Sequence, residues 1–251
     1  MKSAPLQEIF SSIQGEGLWA GERQIFVRFL GCDIQCRYCD TPAATPQGSD
    51  DPWLRYCRVQ ASLVSSSFEQ VLNPLTEQAL TSFCQRLVIP GPFFPVISLT
   101  GGEPLLQVDF LMDWLPQVKG SFKIYLETNG IHAEAMRSLR DLVDVISMDF
   151  KLPSATGLRA FWEEHKQFLA AAQGKTLFVK AVVTSDTTQD DVLMSARIIA
   201  ESDARIPLII QPASGRCAPE SNLLVEFQTA ALGIIPDVRV IPQMHKMLQV
   251  P

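Results

Sequence analysis

Short apolar runs alternate with longer amphipathic stretches through most of the chain. Apolar runs bounded by turn residues predict buried strands, and apolar residues spaced by roughly three to four positions predict helices that pack on them. The predicted strands cover residues 24–30, 95–100, 122–128, 143–150, 176–184, 206–211 and 237–241. The predicted helices cover residues 74–88, 105–118, 131–141, 156–173, 188–202 and 219–233. This alternation favours an α/β fold, an incomplete, open TIM-like barrel of about six to seven mostly parallel strands.

One segment breaks the alternation. Residues 42–73 begin with a run rich in proline, glycine and aspartate, which predicts an irregular insertion and a candidate lid. Pro74 then fits the first turn of the helix over 74–88, because the first residue of a helix does not need its amide hydrogen. No internal repeat is found, so residues 1–251 are predicted to form a single domain.

The composition narrows the class of protein. Hydrophobic residues at 47% and charged residues at 19% are typical of a globular protein. A net charge of -6 argues against a surface that follows phosphates, so nucleic acid is not an expected partner. The N-terminus has no apolar leader and the chain has no apolar run of about 18 residues, so we expect a cytoplasmic protein that does not enter the membrane. In that reducing compartment, Cys57, Cys84 and Cys217 are predicted to be buried thiols.

Three other cysteines form a loop directly after the first predicted strand. Cys32, Cys36 and Cys39 follow a C-x3-C-x2-C pattern. Four cysteines would complete a zinc site or fully ligate an iron–sulfur cluster, whereas three leave one metal position open for another ligand. A second motif, Thr100 to Pro104 (TGGEP), ends the strand over 95–100.

Polar residues also follow the other predicted strands, and chemistry collects at the carboxyl ends of the strands in such a fold. The candidates at these ends are Asn129, Ser147, Met148, Asp149, Lys151, Lys180 and Gln211. Strand alternation places Arg28 on one face with Phe26 and Leu30, where a charged guanidinium needs an anion or a carbonyl partner. Arg28 is therefore a candidate for binding a substrate carboxylate.

The cysteine loop, the aromatic Tyr38 before its last cysteine and the Gly-Gly-Glu motif together resemble the radical S-adenosylmethionine (SAM) enzymes. The resemblance implies that Cys32, Cys36 and Cys39 hold a [4Fe-4S] cluster whose fourth iron chelates SAM, and that one electron then yields a 5′-deoxyadenosyl radical. It also implies an external electron donor of the flavodoxin or ferredoxin type. The implied SAM contacts are Tyr38, Cys39, Asp40, Gly101, Gly102, Glu103, Asn129, Ser147, Met148, Asp149, Lys151 and Gln211. Among these, the two glycines would let the backbone approach SAM, and Glu103 would accept from the methionine ammonium.

Within that superfamily, the residues 13–17 (IQGEG), Arg28, residues 39–41 (CDT), Thr100 and residues 243–246 (QMHK) resemble the 7-carboxy-7-deazaguanine synthases. The resemblance implies ring contraction of 6-carboxy-5,6,7,8-tetrahydropterin with loss of ammonia, in the pathway to queuosine. It implies Mg2+ bound by Thr41 and, by analogy, a homodimer. The implied substrate contacts are Ile13, Gln14, Gly15, Glu16, Arg28, Thr100, His245 and, through the terminal carboxylate, Pro251.

The residues alone leave other interpretations open. An enzyme that places a glycyl radical on a partner protein shares the cysteine spacing, although it would have no need of Gln14 and Arg28 as pterin contacts. A non-catalytic carrier of electrons through iron–sulfur or zinc binding would more naturally use a fourth cysteine. His245 and Lys246 could also be solvated tail residues.

Overall fold

A ten-stranded sheet organises the computed structural model, which describes residues 2–39, 41 and 51–251. In chain order, the strands are β1 (Ser3–Ala4), β2 (Leu6–Ile13), β3 (Arg23–Phe29), β4 (Tyr56–Gln60), β5 (Phe68–Leu72), β6 (Leu75–Thr76), β7 (Val96–Gly101), β8 (Lys123–Thr128), β9 (Val145–Phe150), β10 (Thr176–Val183), β11 (Leu208–Pro212) and β12 (Val238–Val240). The sheet order is β12-β11-β10-β9-β8-β7-β3-β2-β4-β5, and β1 pairs separately with β6. Asp40 lies outside the described residues.

The helices are α1 (Pro52–Arg55), α2 (Glu77–Arg86), α3 (Val108–Val118), α4 (Ala133–Leu139), α5 (Pro153–Thr156), α6 (Trp162–Ala171), α7 (Gln189–Asp203), α8 (Ser221–Leu232) and α9 (Met244–Leu248). Helices α2, α3, α4, α6, α7 and α8 contact one another in that order. Their apolar residues join those of the strands in the main core, so the helices form one layer on the outer face of the sheet.

Seven neighbouring strands, β3 and β7 to β12, pair in parallel and correspond to the seven predicted strands. The sheet does not close, because β12 and β5 form its two edges. These two observations confirm the predicted fold class, an open TIM-like barrel with mostly parallel strands. Beside β3, the sheet continues through β2, which is antiparallel to β3, and through β4 and β5.

The prediction of irregular structure for residues 42–73 is wrong for the part that the structure describes. Helix α1 and strands β4 and β5 lie within it. Strand β4 buries Cys57 and Val59 in the core, whereas β5 is an edge strand whose residues are exposed or half-buried and show no buried apolar run. This mixed pattern explains why the periodicity did not reveal the two strands. Residues 42–50 lie outside the described part, and the role of a lid stays a prediction.

Two predicted helices differ from the structure at their ends. Helix α2 begins at Glu77 and not at Pro74, because the side chain of Thr76 caps it by accepting from the Ala79 amide at 3.3 Å. The helix predicted over 156–173 begins only at Trp162, as α6, and a break separates it from the short α5, which ends at Thr156. The break occurs at Gly157, which adopts the left-handed conformation (φ 74°) that ends α5.

The inner face of the parallel strands begins with a small cluster that we call the apolar layer, with one residue from each of β7 to β11: Val96, Tyr125, Val145, Phe178 and Ile209. The 3-10 turn Gly17–Trp19 covers this layer, and the Trp19 ring stacks on Phe178 with the ring centroids 5.8 Å apart. Gly17 (φ 64°) lies so close to the Phe178 ring that a Cβ at this position would overlap it. The turn therefore closes one end of the open barrel, and the space toward the carboxyl ends of the strands stays open.

Candidate active site

An open cavity of about 570 Å³ lies at the carboxyl ends of the parallel strands. Two residues beyond the apolar layer, the same strand faces carry what we call the polar layer: Ser98, Glu127, Ser147, Lys180 and Gln211. All of these except Ser98 line the cavity. The next inward-facing residues, two positions further along, also line it: Thr100, Asn129, Asp149, Val182 and Ala213. The alternation of the strands thus accounts for the composition of the cavity wall.

The cavity collects most of the residues that the sequence singled out. Those in its wall are Ile13, Gln14, Gly15, Glu16, Arg28, Cys32, Cys36, Tyr38, Cys39, Thr41, Thr100, Gly101, Gly102, Asn129, Ser147, Asp149, Lys151, Gln211, His245 and Pro251. The structure does not bring Met148 there, because its side chain points to the opposite face of β9 and is buried in the main core. Glu103 also lies outside the cavity wall.

Glu103 is fully buried, and its carboxylate is held by three donors of the protein itself. It accepts from the Leu105 amide at 3.0 Å, the Thr128 hydroxyl at 2.9 Å and the Asn129 amide at 2.7 Å. Burial raises the pKa of Glu103, against the lowering effect of these bonds. Its side chain therefore fixes the turn after β8, which differs from the predicted role of accepting from SAM.

The two glycines of the same motif are needed for backbone packing. A Cβ at Gly102 would overlap the carbonyl of Gly31, and a Cβ at Gly101 (φ 122°) would overlap the backbone of Phe29. The Gly102 amide donates to Phe29 O at 3.1 Å, and the Glu103 amide donates to Gly31 O at 2.8 Å. The motif thus joins β7 to the chain that leads into the cysteine loop. This close approach explains the glycines without reference to a ligand.

The cysteine loop presents three free thiols to the cavity. Cys32 and Cys36 are half-buried and Cys39 is exposed. Burial first, and then the charges of Glu103 and Asp33, raise the pKa of the Cys32 thiol to about 11. A bound metal deprotonates such thiols outright. Within the ranges that the structure describes, no three His, Cys, Asp or Glu side chains lie close enough to hold one ion.

A buried network of charges crosses the floor of the cavity. Lys180 pairs with Glu16 and lies 3.6 Å from Asp149, which in turn lies 2.9 Å from Lys151. Burial lowers the pKa of Lys180, but the nearby carboxylates, Glu16 first, outweigh it and leave that pKa raised. Lys180 therefore stays charged and neutralises two acidic groups at once. The sequence showed Lys180 at a strand end but did not suggest this role.

A second network joins the turn after β2 to strands β7 and β8. Gln14 Nε2 donates to Glu127 Oε1 at 2.8 Å and to Gln24 Oε1 at 3.1 Å, while Gln14 Oε1 accepts from the Glu16 amide at 3.0 Å. The Thr100 hydroxyl donates to Glu127 Oε2 at 2.7 Å. Glu127 thus links two predicted substrate contacts, a role that its place at a strand end did not suggest. Its position two residues before Asn129, on the same strand face, was the available signal.

Arg28 has the anionic partner that its position required. Its Nε donates to Glu8 Oε1 at 3.0 Å, and its Nη1 lies 3.5 Å from the hydroxyl of Thr41. The guanidinium also lies over the Phe10 ring, 5.8 Å from its centroid. Since a guanidinium has five N–H groups, donors remain for a ligand in the cavity.

The last helix is fastened to the turn that carries Gln14. The Met244 amide donates to Gly15 O at 2.8 Å, and Gln243 Nε2 donates to Glu16 Oε1 at 2.8 Å. Lys246 Nζ donates to Gln243 Oε1 at 2.6 Å. His245 packs so closely on Gly15 that a Cβ there would overlap its ring. The interpretation of His245 as a solvated tail residue is therefore wrong, whereas Lys246 is exposed, as such a residue would be, although it is bonded to Gln243.

Three buried polar atoms around the cavity have no hydrogen-bond partner among the described residues: Tyr38 Oη, Asp149 Oδ1 and Gln211 Oε1. A buried polar atom without a partner is costly, so these atoms indicate a polar ligand. A nucleoside with ribose hydroxyls and ring nitrogens fits them. Together with three free thiols on one loop, they are suited to a cluster and SAM.

Three further cysteines were predicted to be buried. Cys57 and Cys84 are buried, which confirms the prediction for these two. Cys217 is half-buried at the cavity wall, so the prediction is wrong for Cys217.

Comparisons with known proteins agree with this geometry. The sequence profile of the Radical SAM superfamily matches residues 26–185. Over 249 residues the chain is 38% identical to the 7-carboxy-7-deazaguanine synthase of Geobacter sulfurreducens, covering 98% of this chain and 97% of the relative. The solved structure of QueE from Escherichia coli superposes with a TM-score of 0.60 at 19% identity and covers 97% of this chain and 95% of that one. Streptococcus suis SuiB bound to S-adenosylmethionine gives a TM-score of 0.50 at 15% identity, covering 84% of this chain and 45% of that one. At these identities the two structures show a shared fold alone.

Proposed function

Since the chain belongs to the radical SAM superfamily and, within it, to the 7-carboxy-7-deazaguanine synthases, we propose that its cavity converts 6-carboxy-5,6,7,8-tetrahydropterin into 7-carboxy-7-deazaguanine with loss of ammonia. The observation that carries the proposal is the match to a named synthase along almost the full length of both chains. That shared name favours the synthase over the glycyl-radical activating enzyme and over the non-catalytic carrier.

A [4Fe-4S] cluster and SAM are the cofactors of the superfamily. Cys32, Cys36 and Cys39 are the thiols that would hold the cluster, and Tyr38 and Gln211 present unpaired polar atoms for SAM. With SAM bound and the cluster reduced, these cofactors would supply the radical chemistry that removes a hydrogen atom from C6 of the substrate. The reducing electron would come from a donor of the flavodoxin or ferredoxin type.

Arg28 and Thr41 form the proposed site for the substrate carboxylate and Mg2+. The Thr41 hydroxyl lies 3.5 Å from Arg28 Nη1, so one carboxylate could contact both. Mg2+ prefers oxygen ligands and keeps several waters, which suits a hydroxyl and a shared carboxylate. Glu8 holds the guanidinium from the other side and so fixes the direction of its remaining donors.

The Gln14 turn would hold the ring edge of the pterin. Gln14, Glu127 and Thr100 are bonded to one another, so each is held in place before a ligand arrives. Glu16 lies beside them and is neutralised by Lys180, which leaves it able to accept from N–H groups of a ring. His245 and Pro251 lie at the rim, and a contact of the terminal carboxylate with the substrate stays a prediction.

The remaining assignments concern the whole molecule. Within the described ranges, none of the helices has the length and the apolar character to cross a membrane. A cytoplasmic location, no contact with nucleic acid and a homodimer stay predictions. Light scattering after size exclusion measures the oligomeric state directly.

The experiment that tests the function is an anaerobic assay of reconstituted, reduced protein with SAM, Mg2+ and 6-carboxytetrahydropterin. Mass spectrometry should detect 7-carboxy-7-deazaguanine, formed without stoichiometric loss of SAM. Omitting Mg2+ tests the metal separately. If 5′-deoxyadenosine and methionine accumulate but the product does not form, the substrate assignment is wrong while the cofactor assignment stands.

A further inference from the structure

The residue after the first cluster cysteine is tied to a different strand end. Asp33 Oδ2 lies 3.1 Å from His132 Nε2, and Asp33 Oδ1 accepts from Asn129 Nδ2 at 3.3 Å. Asp33 belongs to the loop after β3, whereas Asn129 and His132 lie between β8 and α4. The side chain of Asp33 is 35% exposed and that of His132 is 25% exposed, so solvent screens the pair only in part.

These contacts close a ring that holds Cys32 from both sides. On one side, Gly31 O accepts from the Glu103 amide at 2.8 Å. The Glu103 carboxylate then holds the Asn129 amide at 2.7 Å, and the Asn129 side chain returns to Asp33 on the other side of the cysteine. The ring joins the ends of β3, β7 and β8. A movement of Cys32 would have to break at least one of these bonds.

The other end of the cysteine loop is held in a different way. The Arg37 amide donates to Thr156 O at 3.1 Å, so the backbone itself is fastened there. The Arg37 side chain reaches Asp186 only at 3.9 Å, with both side chains about two-thirds exposed (65% and 67%). An exposed pair at this distance contributes little to structure. Asp186 therefore provides a matched control, because it also pairs with a loop residue but closes no ring.

We propose that Asp33 and His132 are positioning residues of the cluster site, which hold Cys32 in place and set the charge beside the cluster. The inference rests on the proposed cluster, because the residues act on its ligand. It goes beyond ligation, because a carboxylate next to an iron–sulfur cluster disfavours the added electron, and a facing imidazole compensates for this when it is protonated.

The apoprotein gives the first test, because it needs no cluster. Asp33→Ala and His132→Ala should make Cys32 react with iodoacetamide about three- to tenfold faster, as expected from the loss of one or two partly screened bonds. Peptide mass spectrometry follows Cys32 separately from Cys36 and Cys39. Asp186→Asn should react at the native rate. Circular dichroism checks that each variant is folded, and Asn129→Ala, which removes the side-chain bond to Asp33 from its other end, serves where an alanine variant is not.

The second test uses the reconstituted protein and separates the effect of the charge of Asp33 from the effect of its size. Asp33→Asn keeps the size of the side chain and can still bond Asn129, so iron should be lost to a chelator at close to the native rate. Its cluster midpoint potential, measured by electron paramagnetic resonance, should rise because a negative charge is gone. His132→Gln leaves the carboxylate without its cationic partner and should lower that potential.

Opposite shifts of the potential would support the proposal, since a residue with only a structural role would not produce them. Native Cys32 reactivity in both alanine variants would overturn it. So would equal midpoint potentials in Asp33→Asn, His132→Gln and the native protein. If the native protein assembles no cluster, the cofactor assignment fails, and the alkylation rates still decide whether the two residues hold Cys32.

Discussion

The inner face of the parallel sheet contains two layers that share the same strands and differ in character. The apolar layer is covered by the turn Gly17–Trp19 and is shielded from the cavity. The polar layer lies only two residues further along each strand, yet it carries Glu127, Lys180 and Gln211. The position along each strand therefore decides whether the inward-facing side chain is apolar or polar. Apolar contacts stabilise the fold where no ligand enters, and polar groups stand where a ligand would bond to them.

Burying the polar layer and its neighbours without a ligand lowers the stability of the protein. Asp149 Oδ1 and Gln211 Oε1 are buried without a partner among the residues described. Lys180 is stable there because it faces Glu16 and Asp149 together. The comparison predicts that changes at the polar-layer residues in the cavity wall affect ligand binding, whether or not they also affect stability, whereas changes in the apolar layer affect stability alone.

The largest expected effect distinguishes a cysteine that would bind the cluster from a cysteine that stabilises the core. Cys36→Ala should abolish product formation, because one of three cluster thiols is lost, while the free energy of unfolding of the apoprotein changes by less than about 1 kcal/mol. Cys57→Ala is the matched control, since its thiol is buried in the core and faces no ligand. It should keep turnover and lose about 1–2 kcal/mol of stability. Product formed by Cys36→Ala would contradict the cluster assignment.

Two substitutions on β10 compare the layers directly. Lys180→Met leaves the largely buried Glu16 without its cation and Asp149 with Lys151 alone, and should cost about 3–5 kcal/mol of stability, with loss of ligand affinity. Phe178→Leu, two residues earlier on the same face, should cost about 1–2 kcal/mol and keep the turnover of the folded fraction. Urea unfolding and SAM titration measure both quantities. Equal stability of the two variants would refute the difference between the layers.

The sequence predicted the fold where a strand is buried on both faces. Every residue of β9 is buried, and four of the six residues of Val145–Phe150 are apolar, so the strand could be recognised in the sequence. Strand β2 also lies in the sheet, but it mixes polar and apolar residues, and no strand was predicted there. Strands β4 and β5 were hidden for the same reason. Long apolar runs reveal the centre of a sheet better than its margin.

The site residues could be predicted where the chemistry of the bound group fixes the spacing of residues along the sequence. The cysteine loop and the Gly-Gly-Glu motif could be recognised from their residues, and both lie at the cavity, although the Glu103 side chain turns away from it. Met148 was grouped with Ser147 and Asp149, but alternation along a strand sends it to the other face. The role of Glu127 was overlooked because its partners, Gln14 and Thr100, come from other strands. Such long-range partners do not follow from a local pattern.

A buried polar side chain on the outer face, where no ligand enters, extends the comparison. His165 stacks on Phe150 with centroids 4.4 Å apart, and burial lowers its pKa from 6.5 to about 4. Between these pH values the unfolded chain binds a proton that the folded protein does not, so stability falls as the pH is lowered through 6.5. The loss should reach about 2 kcal/mol at pH 5.

His165→Phe keeps the aromatic contact and should remove that part of the pH dependence. Urea unfolding at pH 7 and pH 5 measures it as the difference between native protein and variant. Trp162→Phe, beside His165, is the control and should lower stability by the same amount at both pH values. Equal pH dependence in native protein and His165→Phe would contradict the assignment.

The smallest expected effects compare two unpaired atoms of the polar layer itself. Gln211 Oε1 faces the cavity, whereas Ser98 Oγ is buried away from the cavity wall, and neither has a partner among the described residues. Gln211→Ala should weaken SAM binding about five- to tenfold, the worth of one hydrogen bond, and leave unliganded stability unchanged or slightly higher. Ser98→Ala should raise stability by up to about 1 kcal/mol without changing SAM affinity. Isothermal titration and urea unfolding separate the two. If both variants bind SAM equally well, Gln211 is not a SAM contact, and its unpaired oxygen needs another explanation.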